Sequence, residues 1–130
     1  MPYLFDSSAI FLIVKSGEIQ KLAGNLTIAL AKYEIGNIVW KEVSLFKRID
    51  EREAERLVES SAKVLHMMTT LDIRGHEKGI LNLASKFHIS YYDASYVYYA
   101  YLTKSELVTA DDRLSKRVGA YITIKTFDNV

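Results

Sequence analysis

Five acidic side chains fall where the chain passes from an apolar, β-prone run into a helical pattern, or in the first turn of one. Asp6 directly follows Tyr3-Leu4-Phe5, and Asp111 and Asp112 directly follow the run that ends at Thr109. Glu34 lies near the start of one long helical pattern, and Asp93 opens another. In open α/β sheets, ligands bind in the crevice beyond the carboxyl ends of the strands. Acids from distant parts of the chain can therefore meet there. Three or four carboxylates converging without bases repel one another strongly. A hard divalent cation resolves that repulsion, and oxygen-only donors favour Mg2+ or Mn2+. Such an ion activates water and stabilises charge on a phosphoryl group, so metal-dependent phosphodiester hydrolysis is the chemistry these residues could perform. Each acid also has a purely structural reading. Asp6, Asp93 and Asp111 precede helices, where Asp is a preferred N-cap, and Glu34 in a first turn is favoured by the helix dipole. Spacing alone does not bring the acids together.

The elements that must position them are short. Residues 2–5 read as a buried strand, followed by a helix over 7–15 that Gly17 terminates. Leu26-Thr27-Ile28 marks a second strand. Ile35, Ile38, Val39, Val43 and Phe46 recur at three- and four-residue steps and predict a helix over 30–47. Asp50 caps a second long helix with Ala54, Leu57, Val58, Ser61 and Leu65 on one face. Residues 68–75 read as a turn region. Ile80, Leu83, Ala84 and Phe87 predict a helix that breaks at His88-Ile89-Ser90, before another from about residue 92 to 104. A strand over 107–109, a short helix capped by Asp111 or Asp112 and ending at Gly119, and a strand over 120–127 complete the chain. Short apolar strands alternating with helices predict an α/β fold with a small parallel sheet wrapped by helices, the strand after Asp111 sitting at an edge.

Composition narrows the classes. The 130 residues fit one domain, 1–130, and 49% hydrophobic with 25% charged residues is ordinary for a folded soluble chain, which excludes disorder. The longest apolar run, Tyr96 to Leu102, is far short of the ~20 residues of a membrane helix. The N-terminus lacks the pattern of a signal peptide, so a cytoplasmic location and no membrane partner are expected. Cysteine is absent, which excludes disulfides, a thiol nucleophile and Cys-zinc sites. A net charge of +1 argues against a general nucleic-acid coat, so any nucleic-acid contact must use a local patch.

Read together, these segments resemble a PIN domain, and specifically the single-domain VapC toxins. Tyr3-Leu4-Phe5-Asp6-Ser7-Ser8-Ala9-Ile10 is similar to the first motif, a strand ending in Asp with Ser or Asn two residues on. Tyr33-Glu34-Ile35-Gly36-Asn37-Ile38-Val39-Trp40 is similar to the second, a Glu opening a helix with an Asn one turn later. Ser90-Tyr91-Tyr92-Asp93-Ala94-Ser95-Tyr96 resembles the third, and Leu107-Val108-Thr109-Ala110-Asp111 the fourth. The resemblance implies a PIN-like three-layer α/β/α fold with a mainly parallel sheet of four or five strands. It implies a Mg2+- or Mn2+-dependent endoribonuclease, with Asp6, Glu34, Asp93 and Asp111 catalytic and metal-binding. Ser8 and Thr109 would orient carboxylates through hydrogen bonds, with Asn37 doing the same from one turn below Glu34. The fourth motif departs from the pattern in carrying two adjacent acids, so Asp112 could share or replace the role of Asp111. The family also implies an RNA substrate, a VapB-like antitoxin and a homodimer.

Other residues are weighed beside these. Arg113, Lys116 and Arg117, at i, i+3 and i+4, could touch RNA phosphates, or serve as solvated cations near a helix C-terminus. Tyr92, Tyr96 and Tyr99 share one helix side. They could stack on bases, but aromatic residues at helical spacing more often pack in a core. His66, His76 and His88 have no metal-like spacing and read as surface or loop residues. Trp40, Phe46 and the helix after Asp50 are plausible partner contacts. Competing readings are a PIN-like RNA-processing or a non-catalytic binding module, which would be expected to lose acids. A haloacid-dehalogenase-like phosphatase would need Asp where Ser8 stands.

Overall fold

A computed structural model describes residues 2–130 of the chain. Five strands form one sheet, β1 (Tyr3–Phe5), β2 (Leu26–Ile28), β3 (Thr69–Leu71), β4 (Glu106–Thr109) and β5 (Ile124–Thr126). Their order is β3-β2-β1-β4-β5, and every pairing is parallel. The helices are α1 (Ser7–Ser16), α2 (Ala31–Trp40), α3 (Glu51–Met67), α4 (Glu77–Phe87), α5 (Tyr91–Leu102) and α6 (Asp112–Val118).

Strand periodicity builds the layers, because successive side chains of a strand point to opposite faces. Phe5 and Val108 are buried with Ile10, Ile13, Ile35, Val39, Leu57 and Val64, so α1, α2 and α3 cover one face. Leu4, Ile28 and Leu107 are buried with Ile80, Leu83, Val97, Ala100, Leu114 and Val118, so α4, α5 and α6 cover the other. This is the three-layer α/β/α arrangement expected from the sequence, with five strands, all of them parallel. Parallel strands covered on both faces carry continuous apolar runs, as Tyr3-Leu4-Phe5 of β1 and Leu107-Val108 in the middle of β4 do.

Several boundaries differ from the sequence reading, each for a local reason. Residues 68–75 are not simply a turn, because they contain β3. That strand is three residues long, largely exposed, and hydrogen-bonded on one side only, to β2. It therefore carries no burial pattern. The helix expected over 30–47 ends at Trp40 and widens into a π-helical turn, Lys41–Leu45, where the amide of Phe46 donates to the Lys41 carbonyl. Phe46 is consequently exposed and not part of the core. Glu42, 6% exposed, locks this turn by accepting from Arg48 at 3.1 Å and pairing with Lys15 at 3.7 Å. On α3 the buried face contains Val64, while Val58 points to solvent. The last strand is shorter than residues 120–127 and does lie at an edge. Gly17 ends α1 at φ +84°, a conformation that only Gly adopts without strain, and its amide reaches back to the Ile13 and Val14 carbonyls. Among the described residues no helix is long and apolar enough to cross a membrane.

For the site, the consequence lies in the strand order. The chain starts at β1, builds outward through β2 and β3, then returns to add β4 on the other side of β1. The order reverses between β1 and β4, and a crevice opens at that switch point beyond their carboxyl ends. Asp6 and the Ala110–Asp111 loop stand at its two lips.

Candidate active site

Asp6 occupies the last step of β1, where its amide still donates to the Val108 carbonyl of β4 at 3.1 Å. It also caps α1, its Oδ1 accepting from the Ala9 amide at 3.0 Å. The same oxygen accepts from the Ser8 hydroxyl at 2.7 Å, and Oδ2 accepts from the Thr109 hydroxyl at 2.5 Å. Each hydroxyl is itself fixed. Thr109 Oγ1 accepts from the Asp111 amide at 3.0 Å, and Ser8 Oγ from the Ala110 amide at 3.1 Å. Two side-chain hydroxyls thus stitch the β1 and β4 loops together around one carboxylate. That carboxylate is 5% exposed. Burial pushes its pKa up from 3.8 to about 6, against the pull of Thr109, Ser8 and Ala9, with the charge of Asp93 adding to the rise.

Glu34 is carried by the first turn of α2, which follows β2 and so begins at the same sheet edge. Its Oε1 accepts from the Ser7 hydroxyl at 3.1 Å and from the buried Tyr96 hydroxyl at 2.7 Å. Tyr96 reaches across from α5. Burial and then the Glu34 charge raise its pKa, so it stays a neutral donor. Neither Ser7 nor Tyr96 stands out in the sequence as a support for Glu34. Ser7 lies within the first motif but off the position usually read. Tyr96 has the helical spacing that suggests a core residue, which at 1% exposure it also is. Asn37 makes no hydrogen bond to Glu34; it is exposed and lines the cavity beside it.

Asp93 is the third residue of α5, and Ser90 caps that helix by accepting from the Asp93 amide at 3.0 Å. The Asp93 carboxylate caps no backbone amide, so helix capping does not account for it. It is half-buried, and its pKa is raised first by burial, then by the charges of Asp111 and Glu34, while the neighbouring Ser90 hydroxyl pulls the other way. Asp111 caps α6, its Oδ1 accepting from the Arg113 and Leu114 amides at 3.0 and 3.1 Å. It lines a cavity of about 290 Å³ with Asp93, Ser90, Arg113 and Arg117. Asp112 is exposed in the first turn of α6 and does not line that cavity; neither does Lys116. Arg117 also donates to the His88 carbonyl.

The topology therefore gathers Asp6, Glu34, Asp93 and Asp111, from four separate segments, at one sheet edge. Among the described residues no Lys, Arg or His nitrogen lies within 4.0 Å of any of them. Nor, as the side chains lie, do any three carboxylate or imidazole groups enclose a point where an ion would be held. The donor chemistry nonetheless fits a hard divalent cation. It is all oxygen, acidic at four positions and without counter-charge, and two of the acids have pKa values raised first by burial and then by neighbouring carboxylates. Among the described residues no histidine joins the carboxylates as a donor: His66 is exposed, His88 is exposed on the wall of the Asp93–Asp111 cavity with its carbonyl held by Arg117, and His76 Nδ1 is 2.8 Å from the Tyr98 hydroxyl.

A parallel sheet with an acidic crevice at its switch point and nearly sequence-long motif order agrees with comparison to known proteins. Residues 3–120 match the PIN domain family, and the chain belongs to that family. It is similar to Exonuclease VapC9 of Pyrobaculum aerophilum, at 33% identity over 131 residues covering 95% of this chain and 91% of that protein. Its fold is similar to the crystal structure of PAE2754 from Pyrobaculum aerophilum, with a TM-score of 0.77 and 26% identity, covering 99% of this chain and 92% of that one.

Proposed function

We propose that this PIN-domain chain is a divalent-metal-dependent nuclease that hydrolyses RNA phosphodiester bonds internally, as the VapC-like toxin of a toxin–antitoxin pair. The observation that carries the reading is Asp93. Its half-buried carboxylate feels the charges of Asp111 and Glu34 and, among the described residues, has no basic partner and caps no backbone amide. The helix dipole and the Ser90 hydroxyl favour its charge in the first turn of α5, but burial and the like charges of Asp111 and Glu34 outweigh them, so the free protein holds this carboxylate at a net cost. The relative's name, an exonuclease of the VapC type, supports nucleic-acid hydrolysis. Internal cleavage and RNA are the finer part of the proposal.

Asp6, Glu34, Asp93 and Asp111 would hold Mg2+ or Mn2+. When bound, such an ion supplies an activated water and neutralises charge developing on the phosphoryl oxygens. Ser8 and Thr109 hold both oxygens of Asp6 in place, and Ser7 and Tyr96 hold Oε1 of Glu34, so two of the four acids keep fixed directions. Arg113 and Arg117, on the wall of the Asp93–Asp111 cavity, attract the RNA backbone. Exposed Trp40, Leu45 and Phe46, at the end of α2 and in the turn beyond it, support docking of a VapB-like antitoxin or a second copy in a homodimer.

The test is cleavage of a structured RNA by the purified chain with Mg2+, Mn2+ or excess chelator, beside folded Asp6→Asn and Asp93→Asn variants. Metal-dependent cleavage that disappears in both variants is expected. A circular RNA should be opened, and its survival while linear RNA is shortened would replace internal cleavage by end-directed attack. Cleavage that persists in chelator and in both variants would overturn the acidic site as the catalyst.

A further inference from the structure

The crevice has a second wall that the acids do not explain. At the Glu34 end a cavity of about 430 Å³ is lined by Ser7, Glu34, Asn37 and Lys41 together with Tyr33 and Tyr92. That volume lies in the ~300–1,000 Å³ range of small-molecule and cofactor sites. Tyr33 immediately precedes Glu34, and Tyr92 immediately precedes Asp93, so both rings are fixed to the backbone that carries the acids.

The two rings differ from the other tyrosines. Of nine in the chain, Tyr33, Tyr92 and Tyr101 are exposed, at 72%, 59% and 57%. Tyr101 spends its ring face on Tyr121, stacked at 4.6 Å. Tyr96 and Tyr99, which share the helix side of Tyr92, are buried, the first reaching Glu34 and the second packed on His76 and Tyr98 with its hydroxyl on the Asp72 carbonyl, whereas Tyr92 sits exposed in the first turn of α5. Among the described residues Tyr33 and Tyr92 have no aromatic partner, and neither donates a hydrogen bond to the protein. Only the Lys32 ammonium, 5.8 Å from the Tyr33 ring, addresses either face. Two large rings held open at one cavity, beside an amide (Asn37) and a cation (Lys41), match the demands of an unpaired base on a charged backbone. The base has a π-face for the rings, polar edges for the amide, and a phosphate for the ammonium.

We propose that Tyr33 and Tyr92 form a nucleobase subsite next to the acidic crevice, one that admits a base of single-stranded RNA and excludes a paired one. The inference rests on the nuclease reading above and deepens it. The crevice then has two walls: arginines at its Asp111 end for phosphate, and tyrosines at its Glu34 end for a base. Duplex RNA, whose base faces are stacked internally, cannot offer a ring to this cavity.

The test measures binding of a fluorescein-labelled single-stranded RNA 12-mer, and of the same sequence as a blunt duplex, by the Asp6→Asn chain in Mg2+. Tyr33→Ala and Tyr92→Ala are then added singly and together, along with Tyr92→Phe. Stacking on one ring is worth about 5-fold to over 100-fold in affinity. Each alanine is therefore expected to weaken single-strand binding at least 5-fold, Tyr92→Phe to retain it, and duplex binding to stay weak throughout. A 4-thiouridine-substituted RNA should crosslink, in the chain with both tyrosines intact, to a peptide containing Tyr33 or Tyr92. If the native chain cleaves RNA but the alanine variants bind as tightly as their parent, or the crosslinks fall elsewhere, the subsite is overturned while the nuclease reading stands. If RNA is neither bound nor cut, both fall.

Discussion

Replacing Asp6 by Asn should stabilise the protein at neutral pH while removing the activity proposed for it. A buried carboxyl held at about 6, against 3.8 when free, makes its ionised form about 3 kcal/mol less favourable in the native state. The native state then binds this proton more tightly than the unfolded chain does. Its contribution to stability is intact below pH 4, falls as pH rises from about 4 to about 6, and is fully lost above. Asn keeps the shape, and its one carbonyl oxygen can still accept from the Ala9 amide and Ser8, while its NH2 can donate to Thr109 Oγ1. The assay is thermal unfolding of both proteins in chelator from pH 4 to pH 8. At pH 4 the two melting temperatures should nearly coincide. At pH 8 the variant should melt higher by up to about 10 °C, the equivalent of about 3 kcal/mol in a chain of this size. Taking the difference between the proteins cancels every other carboxylate whose titration the substitution leaves alone. A difference that is flat with pH, or that favours the native residue at pH 8, would refute the argument that burial without counter-charge dominates at Asp6.

Three further outcomes follow from the same geometry. Adding Mn2+ or Mg2+ to chelator-treated protein at neutral pH should raise its melting temperature. The gain approaches ~2.7 kcal/mol at a hundred times the dissociation constant, and it should vanish in Asp93→Asn; no shift at millimolar metal would refute the cation-binding role. Tyr96→Phe removes one of two donors to the Glu34 carboxylate. It should cost about 2 kcal/mol in urea unfolding and weaken metal binding about 10-fold, read by calorimetry, whereas a purely packing role for the ring would leave both unchanged. Glu42→Ala strips the π-helical turn of its link to Lys15 and Arg48 and leaves a hole behind a buried side chain. Because Lys15 and Arg48 are largely exposed and regain water when the carboxylate goes, a loss of only about 1 kcal/mol is expected, with no change in metal affinity.

The elements that were legible in the sequence carried a local signal strong enough to need no partner. β1 and β4 are apolar on both faces because both faces are covered, so their runs are unbroken up to Asp6 and Thr109. The cap at Asp50 and the stop at Gly17 are written in single residues. β3 was not legible, because a three-residue edge strand draws its stability from β2 and not from its own side chains. The end of α2 was not legible either. Val43 and Phe46 continue the helical spacing, but Glu42 and its two cations widen the turn and carry Phe46 out to solvent.

Within the site, the sequence by itself determined which acids exist and, through their order in four motifs, the family that uses them. It could not separate capping from chemistry, because an Asp at a strand-to-helix junction suits both. The tertiary structure decided that. Asp6 and Asp111 do cap their helices, and Ser90 relieves Asp93 of that task, which leaves its carboxylate under the charges of Asp111 and Glu34. It also decided that Tyr96 and Ser7, distant from Glu34 in sequence, hold its carboxylate, and that Tyr92 stays exposed while Tyr96 and Tyr99 are buried. Burial, counter-charge and hydrogen-bond partners depend on which segments the sheet order brings together. Residues 27 to 103 positions apart meet here, and a pattern read along the chain has no term for such contacts.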